Sequence, residues 1–302
     1  MNRFAKLAWS TLAWTVLDIL WGGFVRASGS GSGCGNNWPS CNGQVIPNAQ
    51  TIQTVIEFTH RALSGVALLL VLALLIWGWL KYPKGSPVRI GVSGAALFIL
   101  IEAGLGAALV LVANKSSTQY AVLVAIHLLN TFILLACLAL SAWWATTGKG
   151  ISFKNKTHVV LFGIGLAGVA VLGMAGALTA LGDTHNPVKT LAEGLAQDAD
   201  PNASFLIHVR VYHPLIGVLL GLYTVGLLTY VYGKFVDAGV RRLVLLLGGL
   251  IVVQLAAGAV NLLLLAPIWL QVIHLFLADM VWIGYVLLSA AALSVGIEKE
   301  AA

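Results

Sequence analysis

The sequence predicts an all-α polytopic membrane protein, with eight transmembrane helices forming two repeated four-helix bundles, residues 1–148 and 149–302. Three observations lead there. The 302 residues are 59% hydrophobic and 9% charged, whereas a soluble domain carries roughly a quarter charged residues. Eight segments are apolar over the ~20 residues that a bilayer crossing requires. Polar and glycine landmarks recur in one order after roughly 150 positions, the mark of an internal repeat.

The apolar segments run near 6–26, 54–80, 88–112, 119–145, 158–181, 205–232, 241–265 and 269–295. Their connections alternate in charge. Arg3 and Lys6 precede the first segment, and Lys81, Lys84 and Arg89 follow the second. Lys149, Lys154 and Lys156 follow the fourth; Lys234, Arg241 and Arg242 follow the sixth; Lys299 follows the eighth. The opposite side carries Arg26, Lys115 and Lys189, while Arg61 and Arg210 lie inside spans or at their mouths. Cytoplasmic loops are enriched in Lys and Arg. Both termini are therefore expected in the cytoplasm, and segments 27–53 and 182–204 become long extracytoplasmic loops. This bias accounts for the net charge of +6 without a nucleic-acid partner. The first apolar stretch continues through Trp21 and Phe24, too long for the core of a cleavable signal peptide. No Arg- and Ser-rich presequence is evident, so a prokaryotic plasma membrane is expected.

The repeat rests on four landmarks. His60 in span two matches His213 in span six, and Gly23 matches Gly176. Glu102, in Glu102-Ala-Gly-Leu-Gly-Ala, matches Gln254, in Gln254-Leu-Ala-Ala-Gly-Ala. His127, in Ile126-His127-Leu128, matches His274, in Ile273-His274-Leu275. An even number of spans per half makes the repeats parallel, related by an axis along the membrane normal.

Ionisable residues inside spans are expensive and mark function by default. Counted along their helices at 1.5 Å per residue, His60, His127, His213 and His274 all lie about 9–12 Å below the outer helix ends. Facing helices of a bundle then present two imidazoles at one depth, a pair suited to the two axial positions of a haem iron. Interhelical hydrogen bonding is the plainer alternative, and a single four-histidine copper or zinc centre is another; a repeated pair predicts two haem sites. His158 at the cytoplasmic mouth of span five and His185 in the second outer loop read as solvated or capping residues. So does His208, which stands roughly 140° around the helix from His213.

Glu57 and His60, spaced i, i+3, share one helix face. Glu57 is thus a candidate proton-transfer group, or a group that orients a ligand. Its repeat mate is Arg210, so the halves are expected to do different jobs. Asp18, Glu102 and Asp279 also lie within spans, where interhelical hydrogen bonding is expected. In the first outer loop Cys34 and Cys41 sit on the oxidising side and can pair; they are too few for zinc without further soft ligands. Cys137 in span four reads as a small apolar residue. Gly163-Ile-Gly165-Leu-Ala-Gly168 fits a dinucleotide fingerprint in letters but has no strand before it. Gly217-x-x-x-Gly221 reads as a helix-packing pattern.

On the outer segment Gly22-Gly-Phe-Val-Arg26-Ala-Ser-Gly-Ser-Gly-x-Gly-Cys34, followed by Trp38-Pro39-x-Cys41-x-Gly43 and Pro47, and on Glu57-x-x-His60-Arg61, the chain resembles the haem A synthase family over nearly its whole length. That resemblance implies oxidation of a porphyrin methyl group of haem O to a formyl group. It implies that His60 and His127 hold the substrate haem with Glu57 beside it, that His213 and His274 hold a resident haem B, and that Cys34 and Cys41 form a disulfide. A haem O synthase, a terminal oxidase assembly and an electron-transfer partner are the implied associates. The sequence departs from the family in three places. The second outer loop has no cysteine, Pro214 follows His213, and Gly35-Asn-Asn37 fills part of the span between the loop cysteines. The rival readings are a di-haem membrane cytochrome that relays electrons without porphyrin chemistry, and a haem transporter or chaperone.

Overall fold

A computed structural model describes residues 1–48, 51–112 and 114–295. Lys299, one of the cytoplasmic charges of the sequence analysis, lies outside them. The described residues form nine helices: α1 (Arg3–Ala27), α2 (Ile52–Lys81), α3 (Pro87–Leu111), α4 (Thr118–Thr147), α5 (Lys156–His185), α6 (Leu191–Ala199), α7 (Phe205–Lys234), α8 (Ala238–Leu263) and α9 (Ile268–Val295). Seven of these, α2 to α5 and α7 to α9, are long and apolar enough to cross a membrane. The protein is a multi-pass membrane protein. The first helix, α1, has the length but not the apolar composition, because Arg3, Lys6, Asp18, Arg26, three tryptophans and two threonines among its 25 residues dilute it.

Each boundary has a local cause. Side-chain oxygens of Asn2, Thr51, Ser117, Asn155, Thr190 and Asp237 accept the first free backbone N–H groups of their helices, which would otherwise lack partners. Ser86 caps α3 with Pro87 in its first turn, where a missing N–H does no harm. Gly148 ends α4 at φ 68°, a conformation that suits glycine. The short helix α6 was read as part of a loop; its Thr190-x-x-Glu193 box, in which Glu193 also accepts from the Lys189 N–H, is a start signal present in the sequence.

Helix packing follows two closed circuits. In the first, α1 packs on α2 and α4, and α3 packs on α2 and α4. In the second, α5 packs on α7 and α9, and α8 packs on α7 and α9. The circuits meet where α1 and α4 touch α9 and α4 touches α5. There Phe132 stacks on Trp282 at 4.8 Å, and the Trp282 indole N–H donates to the Phe132 carbonyl at 2.6 Å. Gly165 in α5 lies directly against Tyr285 of α9, with no room for a Cβ. The Gly163–Gly168 run is therefore helix interior, as its context predicted, and Gly217 and Gly221 face Leu172 and Leu255 on neighbouring helices.

Candidate functional site

The four singled-out histidines stand on α2, α4, α7 and α9. In the second half, the His213 and His274 rings approach to 6.4 Å between centroids at an interplanar angle of 84°. Two imidazole nitrogens bound on opposite sides of one metal, each ~2 Å from it, place the ring centroids about 6 Å apart. The observed pair has that spacing with no further movement. Glycine lets each ring pack closely against a neighbouring helix. A Cβ on Gly176 would stand 2.9 Å from His213 Cε1, and one on Gly258 would stand 3.0 Å from His274 Cε1. Both Nδ1 atoms are buried without a hydrogen-bond partner, and Gln254 Nε2 lies 3.3 Å from His274 Nε2. Two rings at this spacing with unsatisfied nitrogens fit the axial positions of a haem iron.

The surroundings of His60 and His127 differ from those of His213 and His274. A Cβ on Gly22 would stand 3.0 Å from His60 Cε1 and 3.1 Å from Nε2. His60 Nδ1 lies 3.0 Å from Asp18 Oδ1, which also accepts from the Ser64 hydroxyl at 3.0 Å. His127 Nδ1 lies 3.5 Å from Glu102 Oε1, an ion-pair distance longer than an ordinary hydrogen bond. Glu102 is itself held by Asn130 and Thr131, each donating at 2.5 Å. Asp18 and Glu102 thus have the interhelical partners the sequence analysis expected, and those partners include the two first-half histidines. The third intramembrane acid differs: Asp279 is fully buried and neither carboxyl oxygen has a hydrogen-bond partner.

Glu57 is 3% exposed and has two partners. Its Oε1 receives the Arg61 guanidinium at 2.5 Å, and its Oε2 accepts the Cys34 backbone N–H at 2.8 Å. Arg61 Nη1 also donates to the carbonyls of Asn37 and Ser40 at 2.7 Å. Cys34 and Cys41 form a disulfide, and both are buried. The loop is seated on α2 at a second point, where the Thr54 hydroxyl donates to the Gly33 carbonyl at 2.8 Å. Gly33 is pressed against Gln53 and Thr54 so closely that a Cβ would collide with backbone. Lys115, between α3 and α4, is near enough to feel the Glu57 carboxylate; burial lowers its ammonium pKa and the carboxylate opposes that shift.

The second-half counterpart of Glu57 is built oppositely. Arg210 donates to Asp183 at 3.0 Å and to Asp198 of α6 at 2.6 Å, tying the short outer helix to α7. Of the discounted histidines, His185 meets the Ser116 hydroxyl and His208 the Asp200 carbonyl. His158 departs from its reading as a solvated or capping residue. Its side chain is buried, with Nε2 3.1 Å from the Tyr230 hydroxyl and the ring against Phe235, because α7 closes over the start of α5. Cys137 packs against Gly94, where a Cβ would stand 2.9 Å from its sulfur.

Arg26, a residue of the outer motif, makes contacts that its sequence position alone does not reveal. From the end of α1 it donates to the Ala180 carbonyl and the Thr184 hydroxyl on α5, at 2.8 and 3.1 Å, and to Gln271 Oε1 on α9 at 3.1 Å. One side chain thereby joins the two circuits at their outer ends.

Comparison with known proteins gives the lineage. The family model described as cytochrome oxidase assembly protein matches residues 5–286. A protoheme IX farnesyltransferase of Thermus thermophilus is 46% identical over 303 residues, which is 99% of this chain and 50% of that protein. The chain therefore spans about half the length of the first curated relatives it matches. A haem A synthase of Exiguobacterium sibiricum is 28% identical over 74% of both chains, and one of Lysinibacillus sphaericus is 41% identical over 36% of both. With a match across most of its length, the chain belongs to the haem A synthase family, the family described as cytochrome oxidase assembly protein.

Proposed function

We propose that the protein is a haem A synthase, an oxidoreductase that converts a porphyrin methyl group of haem O to a formyl group and so provides haem A for terminal oxidases. The observation that carries the reading is the His213–His274 ring pair at 6.4 Å, set beside a second histidine pair whose surroundings differ. In this reading His213 and His274 hold a resident haem B, and His60 and His127 hold the substrate haem. Bound haem supplies the electron-transfer chemistry that side chains lack. The chain supplies the rest. Gly22, Gly176 and Gly258 let the rings pack closely against neighbouring helices, while Asp18 and Glu102 orient the first-half ligands. The disulfide loop clamped by Glu57 and Arg61 covers the outer end of α2. Glu57 is the proton-accepting candidate beside the porphyrin methyl.

The same proposal takes α1 as an eighth span, residues 1–148 and 149–302 as parallel four-helix repeats, and both termini as cytoplasmic in a prokaryotic plasma membrane. An impermeant thiol reagent that reaches a cysteine placed at position 84 or 149 in intact cells overturns that orientation. The relative of Thermus thermophilus, named a protoheme IX farnesyltransferase, is about twice as long as the part this chain matches. We take haem O supply by a farnesyl-transferring enzyme as the adjacent step, and the terminal oxidase assembly as the destination. The deciding experiment is haem extraction from a haem-O-producing host with and without this chain. Haem A appearing only with the chain is the expected result. Haem O unchanged, with haem B bound to the purified protein, assigns a di-haem cytochrome that relays electrons.

A further inference from the structure

The two histidine pairs differ in one systematic way. In α1, α5 and α8 a glycine abuts a histidine ring, Gly106 holds the corresponding position in the sequence of α3, and the residue four positions before each glycine occupies the same helix face one turn away. Before Gly22 that residue is Asp18, and before Gly106 it is Glu102. Before Gly176 it is Leu172, and before Gly258 it is Gln254. The first half therefore has a carboxylate at both positions and the second half has none. The contacts follow suit. Asp18 Oδ1 lies 3.0 Å from His60 Nδ1, and Glu102 Oε1 lies 3.5 Å from His127 Nδ1. Of the four, only His60 is hydrogen-bonded at Nδ1, and His127 has its carboxylate at ion-pair distance; among the described residues no carboxylate stands that close to His213 or His274, and the Gln254 amide lies 3.3 Å from His274 Nε2.

A carboxylate on the outer nitrogen of a metal-bound imidazole draws its proton away from the ring and makes the ring a stronger donor. It also brings a negative charge close to the iron, in surroundings where charge is weakly screened. Both effects favour ferric over ferrous iron and lower the reduction potential. A neutral amide or an apolar side chain does neither. Keeping two carboxylates inside spans is expensive. Asp18 is held by Ser64, and Glu102 by Asn130 and Thr131, so their orientation toward the histidines is fixed.

We propose that Asp18 and Glu102 are positioning residues that set the redox order of the two sites. They hold the iron of the His60–His127 pair at a lower potential than the iron of the His213–His274 pair, so that electrons run from the first half to the second. The inference rests on the haem reading given above. It adds a direction to that reading: a ferrous iron held by the first-half histidines would pass one electron to a ferric iron held by His213 and His274, the first becoming ferric and the second ferrous. Asp18, at the shorter distance, has the larger influence.

The test uses the full chain purified in detergent and loaded with haem B at both sites. Single-site forms come from His213→Ala, which leaves the first-half haem, and His60→Ala, which leaves the second. Redox titration of each form by its visible spectrum gives the two midpoints separately. The expected result is a lower midpoint for the first half. Asp18→Asn should raise that midpoint by at least tenfold in the ferric-to-ferrous equilibrium, about 59 mV for one electron, at unchanged haem content. Glu102→Gln should raise it by less. Gln254→Glu, made in the His60→Ala form, should lower the second-half midpoint, which a merely structural role for these positions does not predict. Bound haem with midpoints that none of these substitutions moves overturns the inference and leaves the haem sites standing. A first-half midpoint above that of the second half also overturns it. A chain that takes up no haem B through these histidines overturns both the inference and the site assignment beneath it.

Discussion

Glu57 is held from both sides, by the Arg61 guanidinium at one oxygen and the Cys34 N–H at the other. The i, i+3 spacing from His60 made it visible in the sequence, but its partners were not, since one lies on the loop and reaches back over 23 positions. Glu57→Gln is expected to keep bound haem near the parental amount and to stop haem A formation, with haem O accumulating. Normal haem A output from this variant removes the proton-accepting role. Loss of all bound haem assigns Glu57 instead to orienting its neighbours. The histidines themselves were legible because ionisable side chains are rare inside apolar segments. Which acid faces which histidine was not legible, because that depends on how each helix is rotated about its axis. Asp18 and Asp279 look alike in sequence. One binds His60 and Ser64, whereas the other is buried with both carboxyl oxygens unpartnered, an arrangement that costs about 1–3 kcal/mol and for which the fold gives no compensation among the described residues.

The outer loop and α2 behave as one element. The disulfide closes the loop, Arg61 draws in the Asn37 and Ser40 carbonyls, and Thr54 draws in that of Gly33. Taken as composition, the Gly/Ser run of this loop reads as a flexible linker. The structure makes it an ordered cover because α2 offers two donors, Thr54 and Arg61, and one acceptor, Glu57, along one face. Arg61→Ala removes the charge partner of Glu57 and the donor to two carbonyls. It is expected to leave the disulfide intact by mass spectrometry while making the Trp38 segment several-fold more susceptible to limited proteolysis. Equal protease resistance in the variant and the parent dismisses the clamp. Elsewhere the elements followed the apolar pattern, and several begin two or three residues before it because capping residues such as Thr51, Asn155 and Asp237 lie outside the apolar stretch. The missed element, α6, is amphipathic and nine residues long, too short for a search tuned to bilayer crossings.

At the scale of the molecule, two helical circuits share a seam formed by α1, α4, α5 and α9. The pairing of landmarks across roughly 150 positions pointed to two halves; the helices pack as two circuits. The seam was not legible, because apolar helices carry no label for which face meets which neighbour. It is apolar at its middle, where Phe132 stacks on Trp282, and polar at its outer end, where Arg26 meets α5 and α9. In lipid the middle gains little from burial, since the acyl chains are as apolar as the side chains they replace. The directional contacts of Arg26 therefore carry much of the register between the halves. Its planar fork serves the Ala180 carbonyl, the Thr184 hydroxyl and Gln271 at once, which a lysine ammonium on one flexible stem does not reproduce. Arg26→Met should lower the thermal unfolding midpoint of the detergent-purified protein, with a loss of about 1–3 kcal/mol from the orphaned acceptors. Arg26→Lys should fall between the variant and the parent. If both unfold with the parent, the halves are held by the aromatic seam alone. If Arg26→Met also slows electron exchange between the two proposed haem sites while each keeps its own midpoint, the seam sets their spacing as well as the stability of the fold.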